Sequence, residues 1–485
     1  MNTHKGYRIF VALICLTLAL VLTGGNVKAS SIQQGEVDFV AIDAYVTEQM
    51  NNLGIPGMAL GIVQDGQVVH LQGFGVADSS GRAVTPQTPF YIGSVTKSFT
   101  ALAVMQLVEA GKIDLDAPVQ KYMPWFELAD KEASAKITVR NLLNQSTGIS
   151  EKDGNRVWAS QQGSEEYVRA LSTIQLTKPV GSTFRYSNLN YSIAGLIVEK
   201  VSGQSYADYV TQHIFEPLDM RHSFASRAPA LVDGRAEGHY YTFGSVFANE
   251  GGVPSANLPA GHLIASVEDL SHYAIAQLNE GRYGNTSILS PQGIAELHAP
   301  AIPTAGDQHY AMGWNVSTVD GIPLVFHPGD AGRNHAIVIL MPDRNSGYVL
   351  LANASGFEQA DQVDQIAANI FFMGNGKPPT PVSLPFMMMF LHWSILLTPM
   401  LQIIGIFLVW RKRQDIKGWG VLLIVVLNLV VVFGMLGFSQ LIPFPLHSMV
   451  VFFPDIGYGL IAIVALGIGW SVIYIAMYLR RRRAN

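Results

Sequence analysis

The sequence has 485 residues, an apolar fraction of 49% and a formal net charge of −5. This length allows two or three domains. The weakly acidic balance and the lack of an extended basic stripe argue against a nucleic-acid-binding protein. The single cysteine, Cys15, lies near the start of the chain, so disulfide and thiol chemistry are not expected in the rest of the protein.

Residues 1–29 are predicted to form a signal peptide. A positively charged start precedes the apolar stretch Ile9–Leu22, and the small residue Ala29 is the expected cleavage point. An uncleaved membrane anchor is the alternative. The apolar stretch is short for that role, because a helix needs roughly 20 residues to cross a bilayer.

Residues 30–378 are predicted to form one extracytoplasmic domain with β-hairpins near both ends. Asp65-Gly66 separates two apolar-rich runs, which is a strong tight-turn signal, and Asp343–Gly347 does the same near the other end. Helical patterns lie between the hairpins, at 98–110, 164–174, 190–202, 205–214 and 267–279. The arrangement predicts an α+β fold: an antiparallel sheet flanked by helices, with an inserted helical subdomain. The cleft between the two parts is the expected site.

The segment SVTK, from Ser94 to Lys97, begins a predicted helix that is apolar nearly all round and ends near Gly111. Residues three apart share a helix face, so the Lys97 amine is expected within reach of the Ser94 hydroxyl. A nucleophilic serine needs a group that takes its proton. The N–H groups of the helix start would also suit an oxyanion. A surface pair of serine and lysine is the alternative, because the motif is short.

Two further segments carry candidate site residues. Tyr186 and Asn188 stand just before an amphipathic helical pattern, where a phenol could act as a general base and an amide could orient a substrate. The same Y-x-N spacing occurs at Tyr283 and Asn285, so spacing alone does not choose between the two pairs.

The third segment, HPG, contains His327 and Gly329 just before the second hairpin. Glycine in a strand lets another backbone approach closely. His327 could bind the acyl or carboxylate end of a substrate, and a packed core histidine is the alternative.

A Pro-rich linker at 379–385 precedes three apolar runs that are each long enough to cross a bilayer. The runs are 386–410, 418–442 and 456–479. Lys and Arg cluster after the first run and again in the tail 480–485, whereas the loop between the second and third runs has none. The positive-inside rule places both basic clusters in the cytoplasm.

The segment 386–479 is therefore predicted to form three transmembrane helices of a multi-pass protein in a bacterial cell membrane, with the tail 480–485 in the cytoplasm. The mid-span residue Asn428 is unfavourable against lipid, so it is expected to face another helix, either within the bundle or across a homodimer.

The motifs SVTK, YSN and HPG, in this order, resemble the three active-site motifs of the serine β-lactamase/DD-peptidase superfamily. The resemblance is to the branch of class C β-lactamases, D-aminopeptidases and related esterases (peptidase family S12). It covers roughly residues 40–370 and includes the stretches ITVRNLLNQSTGIS and LPAGHLIASVEDLSHY. It favours Tyr186 over Tyr283. The membrane layout also resembles that of prodrug-activating peptidases such as the colibactin-maturing peptidase.

The resemblance implies a role for each matching residue. Ser94 would be the acylated nucleophile, Lys97 and Tyr186 would share the acid–base work, and Asn188 would position Lys97 and the substrate. The backbone N–H groups of Ser94 and Asp330 would form the oxyanion hole. No metal or other cofactor is implied.

One departure concerns the third motif, where class C β-lactamases have Lys-Thr-Gly and this chain has His327-Pro328-Gly329. A mostly neutral imidazole replaces a fixed cation, which argues against efficient β-lactam hydrolysis. The expected function is hydrolysis of an amide or ester, as a peptidase of D-amino-acid-containing or acylated peptides. The alternatives are an esterase, a weak β-lactamase or penicillin-binding protein, and, in another class, a non-catalytic penicillin-binding receptor or scaffold.

Overall fold

The computed structural model describes residues 37–150, 152–153, 163–242, 245–248, 257–331, 333–356, 359–384, 386–411, 418–441, 446, 449–450 and 454–484. The predicted signal peptide and most of the predicted cytoplasmic loop after Arg411 lie outside these residues. The described chain forms two compact units, one ending at Ser383 and the other beginning at Leu384. This boundary falls within the predicted linker 379–385.

The first unit is built on an eight-stranded sheet. Its strands are β1 (Gly57–Gln64), β2 (Gln67–Gly75), β3 (Ile302–Ala305), β4 (Gln308–Tyr310), β5 (Asn315–Val319), β6 (Ile322–Asp330), β7 (His335–Met341) and β8 (Ser346–Ala352). They lie in the order β2-β1-β8-β7-β6-β5-β4-β3, and every neighbouring pair is antiparallel. Strands from both ends of the domain thus meet in one sheet, as the two hairpins predicted.

Helices cover both faces of this sheet. The longer helices of the first unit are α1 (Phe39–Leu53), α2 (Thr96–Glu109), α3 (Asn188–Ser202), α4 (Val267–Leu278) and α5 (Gln359–Gly374). Alternate residues of a strand point to opposite faces. In β7, Ile337 and Ile339 pack with α1 and α5, whereas Val338 and Leu340 pack with α2, α3 and α4. The predicted α+β fold, with helices inserted between β2 and β3, is therefore confirmed.

Shorter elements complete the first unit. The short helices are Lys131–Ser134, Val139–Leu143, Ser164–Arg169, Tyr206–Val210, Arg227–Val232, Leu258–Gly261 and Pro291–His298, with single turns at Gly93–Val95, Val119–Lys121, Ala170–Thr173, Thr211–Phe215 and Pro342–Arg344. Small strands pair Phe90–Tyr91 with Ile264–Ala265, Arg282–Tyr283 with Thr286–Ser287, and His239–Thr242 with Ser245–Ala248 and Ala354–Ser355.

Helix α2 is the central helix of the insertion. Residues 96 to 105 are all buried, because apolar side chains occur on every face of this part of the helix. The 3-10 turn Gly93–Val95 leads directly into it. At its other end Gly111 adopts a φ of +69°, which suits glycine after a helix C-terminus. The start of this buried helix therefore lies directly after the turn that carries Ser94.

The second unit contains the helices α6 (Phe386–Arg411), α7 (Gly418–Leu441) and α8 (Pro454–Ala484). Among the described residues, only the segment Pro454–Arg480 is both long and apolar enough to cross a membrane. The apolar stretches of the other two helices, His392–Leu408 and Trp419–Gly434, are shorter. Three crossings therefore remain a prediction.

Polar side chains of the second unit face neighbouring helices. Asn428 of α7 is 4% exposed, and a side chain at Gly467 of α8 would come within 3.6 Å of its Oδ1. Gln402 of α6 donates a hydrogen bond to the carbonyl of Ile463 in α8. Asn428 thus faces another helix of its own chain, which is one of the two arrangements that the sequence predicted.

Candidate active site

Ser94 lies in the 3-10 turn that precedes α2, and it is partly exposed. Its Oγ is 2.8 Å from the Nζ of Lys97 and 2.8 Å from the Oη of Tyr186. The i to i+3 spacing brings Lys97 under Ser94, as predicted. Both groups donate a hydrogen bond to the hydroxyl, and in its basic form either the amine or the phenolate can accept the hydroxyl proton, which is what a nucleophilic serine needs.

Lys97 is fully buried, at 0% exposure. Besides Ser94, its Nζ donates to the Oδ1 of Asn188 at 2.8 Å and to the carbonyl of Ala260 at 2.5 Å. An ammonium group has three N–H donors, so these three acceptors match it completely. A neutral amine would keep its bonds to Asn188 and Ala260 and turn its lone pair toward the Ser94 hydroxyl, which is the only one of the three partners that can donate. Lys97 can therefore hold or release one proton without losing its position.

Tyr186 and Asn188 reach Ser94 from the start of α3. Asn188 is the first residue of this helix, and Tyr186 lies two residues earlier, with its ring centroid 4.8 Å from the Lys97 Nζ. The alternative Tyr283 lies in a short hairpin, where its ring stacks on His272 at 4.6 Å. The structure thus brings Tyr186 and Asn188, and not Tyr283, to Ser94.

Gly329 brings strand β6 against the turn that carries Ser94. A Cβ atom on Gly329 would lie 2.0 Å from the Ile92 carbonyl oxygen and 2.9 Å from the Ser94 nitrogen. The place where β6 meets this turn is called the junction below. On the turn side of the junction, a Cβ atom on Gly93 would lie 2.4 Å from the Asp330 nitrogen. Two glycines therefore allow a close approach of two backbones, with the Ser94 and Asp330 nitrogens at the junction.

The register of β6 and β7 defines the direction of the Asp330 N–H group. Ala331 donates its N–H to the Asn334 carbonyl, so these two residues form a hydrogen-bonded pair. Hydrogen-bonded and non-hydrogen-bonded pairs alternate in an antiparallel ladder. Asp330 and His335 therefore form a non-hydrogen-bonded pair, and in such a pair the Asp330 N–H points away from β7. This direction agrees with the predicted oxyanion hole.

We predict that Gly329→Ala reduces acylation of Ser94 by roughly 10²- to 10³-fold, which is the usual loss for one oxyanion donor. The added methyl group would force β6 away from the Ile92 carbonyl and displace the Asp330 N–H. The rate of adduct formation with an activated ester measures the effect. Gly163→Ala is the matched control, because a Cβ there meets nothing within 4 Å and φ is −66°. Equal rates in the two variants would contradict the predicted role of the junction.

His327 lies in β6 with 2% exposure. Its Nδ1 is 2.6 Å from the Pro328 carbonyl oxygen and its Nε2 is 3.3 Å from the Tyr310 hydroxyl. An Nδ1–H that donates to the carbonyl leaves Nε2 to accept from Tyr310. Burial, together with the nearby charge of Lys97, lowers the pKa of His327 to about 3. The imidazole is therefore neutral at ordinary pH, and both of its nitrogens have partners within the protein.

Two partners of the site escaped the sequence analysis. Ala260 acts through its backbone carbonyl, which no side-chain motif reveals. Tyr310 of β4 is 1% exposed, and its ring packs edge-on to those of Tyr186, at 6.4 Å, and His327, at 5.9 Å. Its aromatic character was the only available signal. Within the described part of the chain, no group of three or more His, Cys, Asp or Glu residues is placed to hold a metal ion.

A buried lysine between a serine and a tyrosine, on an antiparallel sheet with a helical insertion, defines a β-lactamase-fold serine hydrolase. A sequence model of the family described as Beta-lactamase matches residues 42–370. The chain belongs to this family, whose members are generally serine hydrolases. The broad resemblance of the three motifs is thus confirmed, whereas the finer branch within the superfamily stays a prediction.

Curated relatives and a solved structure agree with this assignment. Protein flp of Staphylococcus aureus (strain MW2) is 30% identical over 322 residues, which are 64% of this chain and 62% of that protein. Unguisins hydrolase ungD' of Aspergillus campestris (strain IBT 28561) is 27% identical over 327 residues, which are 64% of this chain and 60% of that protein. The octameric penicillin-binding protein homologue from Pyrococcus abyssi matches with a TM-score of 0.62 and 28% identity, over 74% of this chain and 82% of that one.

Proposed function

We propose that the protein is a membrane-anchored, extracytoplasmic serine hydrolase that cleaves amide or ester bonds through an acyl-enzyme on Ser94. Its substrates are D-amino-acid-containing or acylated peptides. The observation that carries the proposal is the position of the Ser94 Oγ, 2.8 Å from both the Lys97 Nζ and the Tyr186 Oη. The name of the relative Unguisins hydrolase ungD' supports hydrolytic activity.

The first half-reaction follows from this geometry. The Ser94 Oγ attacks the substrate carbonyl carbon, and its proton passes to the basic pair of Lys97 and Tyr186. The resulting oxyanion accepts hydrogen bonds from the backbone N–H groups of Ser94 and Asp330. The C–N or C–O bond then breaks, the pair returns the proton to the leaving amine or alcohol, and Ser94 remains acylated.

The second half-reaction repeats these steps with water. The pair of Lys97 and Tyr186 takes a proton from the water, whose oxygen attacks the acyl carbon. The second tetrahedral intermediate collapses, the proton passes to the Ser94 Oγ, and the free acid leaves. Asn188 keeps Lys97 in place throughout, because its Oδ1 accepts one N–H of the amine in either protonation state.

His327 of the HPG motif is neutral, which favours substrates that have no free carboxylate in the part of the cleft beside β6, called the subsite below. A cation at this position would attract such a carboxylate, and the uncharged His327 does not. Acylated amides and esters of D-amino acids fit this preference better than substrates ending in a carboxylate. This supports a peptidase or esterase of the class C-like, S12-type branch over an efficient β-lactamase.

The central test is mass spectrometry of the intact protein after incubation with acyl-D-amino-acid amides, the matching esters, the matching free acids and a fluorescent penicillin. We expect a mass increase on Ser94 with the amides or esters, followed by loss of the adduct as product forms. A penicillin adduct that persists, with no adduct from any amide or ester, would instead favour the penicillin-binding receptor.

The variant His327→Lys tests the substrate preference. We predict that the ratio of kcat/KM for carboxylate-ending substrates to that for uncharged esters rises about 10-fold, because an ammonium near the subsite attracts a carboxylate. His262→Gln is the control. His262 is also a buried imidazole, and burial lowers its pKa to about 3, but it lies outside the three motifs. An unchanged ratio in His327→Lys would mean that residue 327 does not influence the subsite.

The membrane-anchored layout is the second part of the proposal. The apolar segment Pro454–Arg480 and the two shorter apolar helices support it, as does the basic tail. The same layout favours the prodrug-activating peptidase branch, whose members act outside the inner membrane. An anchor of this kind would keep the cleft close to substrates at the membrane surface.

We predict that the catalytic domain is labelled from outside intact cells and the tail is not. Cys15 is the only cysteine, so single new cysteines report their own side of the membrane. Lys112→Cys, at an exposed position, should react with a membrane-impermeant maleimide, and Asn485→Cys should react only after the cells are permeabilised. The opposite labelling pattern would show that the orientation is inverted.

A further inference from the structure

We propose that Gln145, which no motif assigned to the site, is a positioning residue for Tyr186. The proposal rests on the proposed function, in which Tyr186 shares the proton transfer with Lys97. Gln145 follows the short helix Val139–Leu143 and is 0% exposed, and it is not among the hydrogen-bond partners of Ser94 and Lys97 described above. The hydrogen bonds of Gln145 instead reach the segment that carries Tyr186, and its side chain also lies beside Tyr310, whose ring packs edge-on to that of Tyr186.

Gln145 holds this segment on both sides of Tyr186. Its backbone carbonyl accepts the N–H of Arg185 at 2.7 Å, and its side-chain Oε1 accepts the N–H of Ser187 at 2.9 Å. One residue thus holds the peptide group that follows Tyr186 and the peptide group that precedes Arg185. The two bonds hold the backbone on either side of Tyr186, so Gln145 constrains the direction in which the phenol points.

A third bond ties the same oxygen to helix α3. The Asn190 Nδ2 donates to the Oε1 of Gln145 at 2.6 Å, and the Asn190 Oδ1 accepts the hydroxyl of Thr147 at 2.8 Å. Gln145, Asn190 and Thr147 are all fully buried. The network links the end of the short helix to the first turn of α3, which also contains Asn188. It therefore fixes the positions of Tyr186 and Asn188 relative to each other.

The backbone of Gln145 argues that its side chain has a specific use. Its φ is +57°, in the left-handed region, at the position after a helix C-terminus where glycine is the usual residue. Glycine would end the helix with less strain but could not bond Ser187 or Asn190. A strained, fully buried residue that persists beside a reactive group is a feature of functional sites.

The distances in the site show why the position of Tyr186 matters. The Tyr186 Oη donates to the Ser94 Oγ at 2.8 Å, which leaves little room for displacement before the hydrogen bond weakens. Loss of the Oε1 acceptor would free the Ser187 N–H and let the segment shift. We therefore expect a slower acylation step, with little effect on the binding of small substrates.

The test compares Gln145→Met, which removes the acceptor, with Gln145→Glu, which keeps an acceptor oxygen of the same reach. With p-nitrophenyl acetate and the full chain, we expect kcat for Gln145→Met to fall 10-fold or more with KM nearly unchanged, and Gln145→Glu to retain most of the activity. Gln106→Met is the matched control, since Gln106 lies near the far end of α2. If Gln145→Met does not fold, Gln145→Gly takes its place, because glycine suits the positive φ.

A double-mutant cycle with Tyr186→Phe separates positioning from general stability. If Gln145 acts through Tyr186, the Gln145→Met change should cause little further loss once the phenol is absent. If the loss in the double variant equals the product of the two single losses, the proposal is overturned. Wild-type kinetics for Gln145→Met would overturn it as well. The wild-type protein distinguishes this failure from that of the proposed function: without a Ser94 adduct in the wild type, the hydrolase proposal itself is wrong.

Discussion

Replacing Ser94 with alanine is expected to abolish acyl-adduct formation and to reduce turnover by about 10³-fold or more, because it removes the hydroxyl that both Lys97 and Tyr186 contact. The side chain is small and partly exposed, so the loss of packing is slight. Intact mass after incubation with an activated ester, together with the rate of product release, measures both effects.

Thermal unfolding of the same variant provides the control. The melting temperature of Ser94→Ala should stay within a few degrees of the wild-type value, which ties any loss of activity to chemistry and not to misfolding. Ser182→Ala, at an exposed position outside the three motifs, should leave the kinetics unchanged. A Ser94→Ala protein that turns over substrate at the wild-type rate would disprove the acyl-enzyme mechanism.

Replacing Lys97 is expected to be nearly as damaging. Lys97→Met fills the same space but removes the amine that contacts Ser94, Asn188 and the Ala260 carbonyl, and we predict a loss on the order of 10³-fold in acylation. The rate of adduct formation on Ser94 measures this loss directly.

Lys97→Arg distinguishes two possible roles of the amine. An arginine keeps the positive charge but cannot release a proton at any working pH. If Lys97 transfers protons, Lys97→Arg should be as inactive as Lys97→Met. Substantial activity in Lys97→Arg would mean that the side chain acts only through its charge. In the double variant Ser94→Ala/Lys97→Met, the loss of activity should be about as large as in Ser94→Ala alone, because residues that act as a unit are non-additive.

The sequence allowed much of the fold to be predicted, because its signals were local. Asp65 adopts a φ of +51° and Gly66 one of +76° in the tight turn between β1 and β2, as Asp-Gly between apolar runs predicted. Ser94 and Lys97 could be paired because helix geometry relates residues three apart. The start of α2 was less well placed, since Ser94 lies in a 3-10 turn that precedes the α-helix.

The remaining features of the site depend on contacts between distant segments. The Lys97 amine meets the Ala260 carbonyl across 163 positions of sequence, and no local pattern encodes such a pairing. Tyr283 matched the Y-x-N spacing as well as Tyr186 did, so spacing alone could not separate them, whereas the family resemblance favoured Tyr186 and the fold brings Tyr186 to Ser94. For His327 the sequence left two interpretations open, a substrate contact and a packed core histidine. Its ring nitrogens contact Pro328 and Tyr310, and sequence spacing does not reveal such burial.

The pairing of strands from the two ends of the domain also has a consequence for folding. Met58 of β1 pairs with Ala352 of β8, so one sheet joins segments that are synthesised far apart in time. Such non-local contacts fold slowly, because a long loop must close before they form. The strand that contributes Asp330 to the Ser94 junction also belongs to the late segment. A chain that emerges amino terminus first therefore cannot assemble a working cleft until almost the whole domain has been made, and the nascent enzyme stays inactive until then.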